Sequence, residues 1–300
     1  VDRLFELEDQ IVAQIASSIV PALEEAEMQA LLNKAPSSLS AYEFLQRGNW
    51  HLFSNLSSYD ADDEAARCFE SALKIDPNYA AALAALAYVK FRGSYKYIAT
   101  NFHEHLEDAR QTALQALAID PREPRALRYL AAALSMLRDQ DGAWQALQHS
   151  IELCPSYATA YSGLAFVHDF RGDFEDAKIA ADQTMLLRPH DPILHRCVIS
   201  KSIAHYQTGD YETAERIAQN SVRTNAVWWM SNAMLASSLA QQGKIAASQL
   251  VIERIRLNHP DLKMEKLLDG MPFANPDHVE HLKQGLVKAG WADSSAGAGF

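Results

Sequence analysis

The sequence predicts an all-α helical solenoid, and three observations carry that prediction. Pro121, Pro155 and Pro189 stand 34 residues apart, each closing a helix-like run. The runs share one shape: Ala-Leu-Lys-Ile-Asp-Pro at 72–77, Ala-Leu-Ala-Ile-Asp-Pro at 116–121, Ser-Ile-Glu-Leu-Cys-Pro at 150–155 and Thr-Met-Leu-Leu-Arg-Pro at 184–189. Glycine recurs on a related period, with Gly172 and Gly209 each followed by aspartate and an aromatic residue, and Gly243 34 residues after Gly209. A period of this length is one helix pair, which cannot bury its apolar side alone and must stack on its neighbours.

The elements follow in chain order. Residues 3–34 read as one or two amphipathic helices, with Leu4, Leu7, Ile11, Ile15, Ile19 and Leu23 at three- and four-residue spacing and a kink expected at Pro21. Pro36-Ser37-Ser38 ends that stretch. Ser40 with Glu43 three residues on is a capping box, so a new helix starts there. Six helix pairs come next, at about 40–77, 78–121, 122–155, 156–189, 190–226 and 227–260. Glycine at 172 and 209 supplies the positive φ that stops a first helix, and the aspartate after it caps the second. Ala65, Ala109, Ala143, Ala177 and Ala214 share one place in the second helices, where a small side chain lets the pair cross closely. Leu130, Leu164 and Leu235, each followed by alanine, share one place in the first helices. Pro276 with Asp277 starts a closing helix over about 276–289, and Gly290 ends it. The expected organisation is therefore an N-terminal amphipathic segment (1–39), the array (40–260), C-terminal capping helices (261–291) and a disordered tail (292–300).

Three departures from the period stand out. The first pair has a turn about five residues too long, near 56–62. The second carries a ten-residue insertion around 92–104, read as a loop holding Tyr95, Tyr97, Phe102 and His103 and a candidate binding loop. The fifth is three residues longer, with Ala226 in the proline place.

Leu-Ala in the first helix, the Gly-Asp-Phe/Tyr turn, alanine in the second helix and Asp-Pro at the end resemble the tetratricopeptide repeat (TPR). That resemblance implies a right-handed superhelix of about six helix pairs with flanking N-terminal and C-terminal helices, whose first helices line a concave, partner-binding groove. The ends carry a narrower resemblance. Residues 4–12 and 39–48, with 271–278 and 282–291, look like bacterial TPR regions that follow a TolB-like domain and are fused to class III adenylate cyclase domains or winged-helix regulators. It implies a docking or sensing arm of a larger bacterial signal-transduction protein, or a self-association module that brings fused catalytic domains together.

Bulk properties limit the function classes. The formal net charge is −11, which disfavours nucleic acid and anionic membrane surfaces, since both require a basic face. No 18-residue apolar run is present. Cys68, Cys154 and Cys197 are odd in number, with no metal-type spacing, and read as reduced thiols of a cytoplasmic protein. The chain opens at Val1 inside an amphipathic pattern with no signal-peptide layout, which reads as a piece of a longer protein.

No nucleotide loop occurs, and the paired aspartates of a cyclase are not recognisable, so no enzyme activity and no cofactor are expected of this chain. His103, His105 and Glu107 do not share one helical face, and His190, Asp191 and His195 lie at ordinary turn chemistry; neither cluster is read as a metal site. His168 and His205 hold one repeat position and read as core or near-core. Trp228 and Trp229 cannot both face one side of a helix, so one packs on the fifth repeat and the other is either packed or a contact surface.

The groove is the serious functional candidate. Carried over from the repeat pattern, its positions are Tyr88 and Phe91, then Arg125, Arg128 and Ala132, then Ser162, Phe166 and Asp169, then Arg196, Ile199 and Tyr206. Arginine suits carboxylates and aromatics anchor interfaces, so the expected partner is a protein or peptide. The competing expectation is that these arginines merely pair with nearby glutamates such as Glu123.

Overall fold

The computed structural model describes residues 39–54, 59–96, 98, 100–188 and 194–291, with no side-chain description at 53, 54, 59, 60 and 194–197. Among the described residues there are fourteen helices and no strand: α1 (Ala41–Ser54), α2 (Tyr59–Ile75), α3 (Ala80–Lys96), α4 (Phe102–Ile119), α5 (Pro124–Met136), α6 (Gln140–Leu153), α7 (Ala158–Arg171), α8 (Phe174–Leu187), α9 (Leu194–Gln207), α10 (Tyr211–Thr224), α11 (Trp229–Gln241), α12 (Ile245–Asn258), the short α13 (Met264–Asp269) and α14 (Pro276–Lys288). The expected readings of 1–38, of Tyr97, of His190 and Asp191 and of the tail lie outside the described residues.

Odd-numbered helices α1 to α11 are the first helices of six pairs, and each packs on the even-numbered helix after it. First helices of successive pairs also touch one another, whereas second helices meet mainly first helices. A stack in which one row of helices is crowded and the other splayed must curve, with the crowded row inside. The first helices therefore form the inner face.

The caps expected from sequence are present. Ser40 and Glu43 exchange hydrogen bonds, backbone nitrogen of each to the other's side chain, at 2.7 and 3.3 Å. Gly172, Gly209 and Gly243 take positive φ of 94°, 86° and 76°. At each, the next residue's N–H reaches back to a carbonyl five positions earlier (Asp173 to His168, Asp210 to His205, Lys244 to Leu239), which closes the first helix. The capping aspartates are uneven: Asp210 accepts from the Thr213 N–H at 3.1 Å, while Asp173 makes no such bond. In the third pair the same place, 34 residues before Gly172, is held by Arg138 at φ 70°, the one positive-φ non-glycine among the described residues.

The alanine places pack as expected. Ala65, Ala109, Ala143, Ala177 and Ala214 are all buried at helix crossings. Trp228 and Trp229 are both buried, because the first helix of the sixth pair, α11, is covered all round from Trp229 to Ala240. The insertion at 92–104 is helical over 92–96 and 102–104, with turn at 98, 100 and 101. It lengthens α3 and α4, and Tyr95, Ile98 and Phe102 from it are buried. Its apolar side chains made burial more favourable than exposure, and Tyr95 reaches Trp229 of the sixth pair with ring centroids 6.2 Å apart. The array thus curls far enough for its second and sixth pairs to meet.

Candidate functional site

The inner face is where the sequence placed a groove, and the structure divides its residues into three groups. Tyr88 and Phe91 are buried. The Tyr88 ring stacks on Tyr129 at 4.6 Å, and Phe91 meets Tyr95 edge-on at 5.3 Å. Asp169 and Tyr206 are fully buried. Arg125, Arg128 and Phe166 are half-buried at the inner face. The side chain of Arg196 lies outside the described residues.

The two arginines differ in availability. Arg125 follows Pro124 at the start of α5, where the Glu123 side chain caps the helix by accepting from the Arg125 N–H. The same carboxylate takes the Arg125 guanidinium, Nε to Oε1 at 2.9 Å and a terminal nitrogen to Oε2 at 3.2 Å. The expectation that an arginine pairs with Glu123 therefore holds for Arg125. Arg128 lies one turn further on. Its Nε donates to the Thr159 carbonyl at 2.7 Å, and its guanidinium sits 5.9 Å from the Tyr129 ring centroid. Gly163 makes room for it, since a Cβ there would stand 2.8 Å from the Arg128 Nε.

Asp169 sits between α7 and α9. Ser200 donates to its Oδ2 at 2.5 Å, while Oδ1 is buried with no hydrogen-bond partner. Burial pushes this carboxyl well above the usual carboxylate range, only partly offset by the serine. It is a buried core group and does not face a partner.

Tyr206 is covered by the chain's own C-terminal segment, which reaches well beyond the end of the stack. After α12 the chain turns back. Asp269 lies between His103 and Arg138 on the turn edge of the array: its Oδ2 is 2.9 Å from His103 Nε2 and its Oδ1 is 3.6 Å from Arg138. Gly270 fits between Ile98 and Trp229, where a Cβ would approach each within 2.8 Å. The Gln140 side-chain nitrogen donates to the Pro272 carbonyl at 3.3 Å, and the Ala274 N–H donates to the Phe170 carbonyl at 2.7 Å. Phe273 packs edge-on against Phe170 at 5.5 Å. Residues 269–275 thus form a strap along the turns of pairs two to four.

α14 continues this path over α9 and α11. Asn275 caps it by accepting from the Asp277 N–H, and Pro276 opens it, as the sequence indicated. His281 stacks on Tyr206 at 4.6 Å, with Nδ1 2.9 Å from Gln207 Oε1 and Nε2 2.9 Å from the Tyr211 hydroxyl. That pairing suits a neutral imidazole with the proton on Nδ1, because an amide oxygen only accepts. Tyr206 donates to the His281 carbonyl at 3.0 Å and Gln207 to the His278 carbonyl at 3.0 Å. Leu282, Leu286 and Trp291 are buried, and α11 is buried from Trp229 to Ala240. One face of α11 carries α10, another α12, and α14 covers the inner one.

Among the described residues no group of three or more histidines, cysteines and carboxylates is placed to hold a metal ion. No helix of the described residues is long and apolar enough to cross a membrane. Cys68 and Cys154 are unpaired thiols.

Neither a known protein-family profile nor a curated protein matches the chain. Solved structures do. TTC0263, a thermophilic TPR protein in Thermus thermophilus, is 18% identical over 67% of this chain and 99% of its own, with a TM-score of 0.51. A chain of the APC/C hetero-tetramer Cut9-Hcn1 is 15% identical over 88% of this chain and 45% of its own, with a TM-score of 0.59. At such identities the likeness concerns the fold, and the fold is an all-α TPR-type helical solenoid.

Proposed function

We propose that this chain is a non-enzymatic protein–protein interaction scaffold, the docking or sensing arm of a larger bacterial signal-transduction protein. A peptide or protein partner engages the part of the inner face that the strap leaves open. The observation that carries this reading is Arg128. It is half-buried among Tyr129, Thr159 and Gly163, with Nε tied to a carbonyl. That bond orients the guanidinium and leaves its outer N–H groups for a carboxylate, with Phe166 on the same face as an apolar anchor. Arg125 supports the site through Glu123 instead of contacting the partner. A net charge of −11 disfavours nucleic acid as that partner, and the unpaired thiols suit a cytoplasmic setting. The fused adenylate cyclase or winged-helix output rests on the resemblance of the end segments alone.

Pull-down with the full chain tests this. Arg128→Glu is expected to lose partner capture about tenfold or more while the helical signal and melting transition persist. Capture that is unchanged by a correctly folded Arg128→Glu chain refutes an inner-face site.

A second reading, self-association, has one observation in its favour. The outer helix α12 exposes Leu250 at 65% and Leu257 at 82% on the open end of the stack. Light scattering that shows a monomer at high concentration removes it.

A further inference from the structure

We infer that the turn edge of the second to fourth helix pairs is a recognition site for a segment that leaves a helix at an acidic residue and turns into a proline and an aromatic, and that residues 269–274 fill it in cis. A partner segment of the same chemistry binds by taking the strap's place. The inference rests on the scaffold reading above and adds to it a second site and its ligand chemistry.

Each strap feature has a dedicated counterpart on the array. The Asp269 carboxylate meets His103 and Arg138, Gln140 donates to the Pro272 carbonyl, and Phe170 provides both the ring under Phe273 and the carbonyl that accepts from the Ala274 N–H. Two strap backbone groups, the Pro272 carbonyl and the Ala274 N–H, and one aromatic side chain are thus held by the array. Gln140 is itself buried and fixed by Ser135, whose hydroxyl donates to its Oε1 at 2.8 Å.

Arg138 is the second, independent observation. Equivalent places in other pairs hold Gly172, Gly209 and Gly243, and the backbone here has the same left-handed φ. A long side chain at positive φ is strained. The array tolerates that strain at the one such position whose side chain reaches the strap's carboxylate.

The strap is separable from α14. That helix is held by Leu282, Leu286 and Trp291, all buried, so residues 269–274, themselves held by the buried Met271 and Phe273, can exchange while the helix stays docked. Tethering gives the strap an effective concentration in the millimolar range, so a free peptide competes poorly unless the strap is weakened.

The test uses the full chain and a fluorescent peptide with the sequence of residues 267–277. The variant Asp269→Ala with Phe273→Ala removes the strap's acidic and aromatic contacts, leaves the buried Met271 in place and keeps the array's side intact. It is expected to bind the peptide about tenfold or more tighter than the unaltered chain does. Adding Arg138→Gly, which removes the cation and relieves the backbone, is expected to weaken that binding about tenfold. A peptide lacking the aspartate and phenylalanine should bind neither. If the loosened chain melts cooperatively yet binds no better than the unaltered one, the site is refuted, and so it is if Arg138→Gly makes no difference.

If the loosened variant does not fold, hydrogen exchange on the unaltered chain decides. The Ala274 amide is expected to exchange faster than the Leu286 amide in α14, and equal protection overturns the inference. A dimer formed by strap exchange would make a second copy the occupant and overturn a partner of another kind. Loss of capture by Arg128→Glu without any peptide binding would leave the scaffold reading standing and remove this one.

Discussion

Asp169 shows how far a side chain's role depends on what lies over it. At the inner face of a bare array it would be an acid facing a partner. Here it is fully buried with one oxygen unpartnered, and burial holds its carboxyl well above the ordinary range. The folded chain gives up this proton less readily than the unfolded chain, which ionises the group near pH 4, so stability falls as pH rises above that value. Asp169→Asn keeps the shape and the bond from Ser200 and removes that cost. It is expected to raise the melting temperature near neutral pH. A lower melting temperature would mean that the carboxyl is ionised and paired. Arg125 and Arg128, three residues apart, show the same dependence: one neutralises Glu123, and the other is oriented by a carbonyl from the next pair.

At the scale of elements, the glycine turns separate local from long-range constraint. Gly209 and Gly172 hold the same left-handed conformation, yet a Cβ on Gly209 would meet nothing within 4 Å, whereas one on Gly172 would stand 2.9 Å from the His278 ring. Gly209→Ala should therefore cost only the backbone term, about 1–2 kcal/mol. Gly172→Ala should cost more and also unseat the start of α14. Denaturant melts compare the two, and equal losses would show that His278 moves aside freely. The insertion in the second pair makes the same point: the extra residues are apolar enough to extend α3 and α4 and bury Tyr95, Ile98 and Phe102.

For the whole molecule, the closing segment turns an open stack into a curl locked from inside. Its hold on the array includes two histidines. Burial lowers the ring pKa of both His278 and His281, and His278 Nδ1 is buried without a hydrogen-bond partner. The facing groups from the array are Phe174, Gln207, Tyr206 and Tyr211, and from α14 itself Asp277 and, for His281, His278, so among the described residues no carboxylate of the array faces the rings. The unfolded chain takes up protons from about pH 6.5 downward while the folded chain resists, so these rings contribute stability that is present above about pH 6.5 and lost as pH falls below it. Asp169 acts in the opposite direction over that range. In an Asp169→Asn background, then, the melting temperature should fall between about pH 7.5 and 5.5, and replacing both histidines by asparagine should remove most of that fall. A pH response that survives the double replacement would assign it elsewhere, His51 being the other histidine whose ring pKa burial lowers.

The sequence by itself determined the repeating part of this protein. The capping box at Ser40, the glycine turns, the buried alanines and the Asn-Pro start of α14 depend on contacts within a pair or its neighbour, and a 34-residue period records such contacts directly. It also identified Arg128 as a residue of the inner face. Only the tertiary structure decided which inner-face residues stay open, because that depends on a distant segment of the chain folding back over the turns. Asp269 beside His103 and Arg138, Phe273 on Phe170 and His281 on Tyr206 are pairings across 75 to 166 positions, and no local pattern encodes them. The one local trace was Arg138 in a glycine's place, where the backbone accepts strain and the side chain reaches the strap.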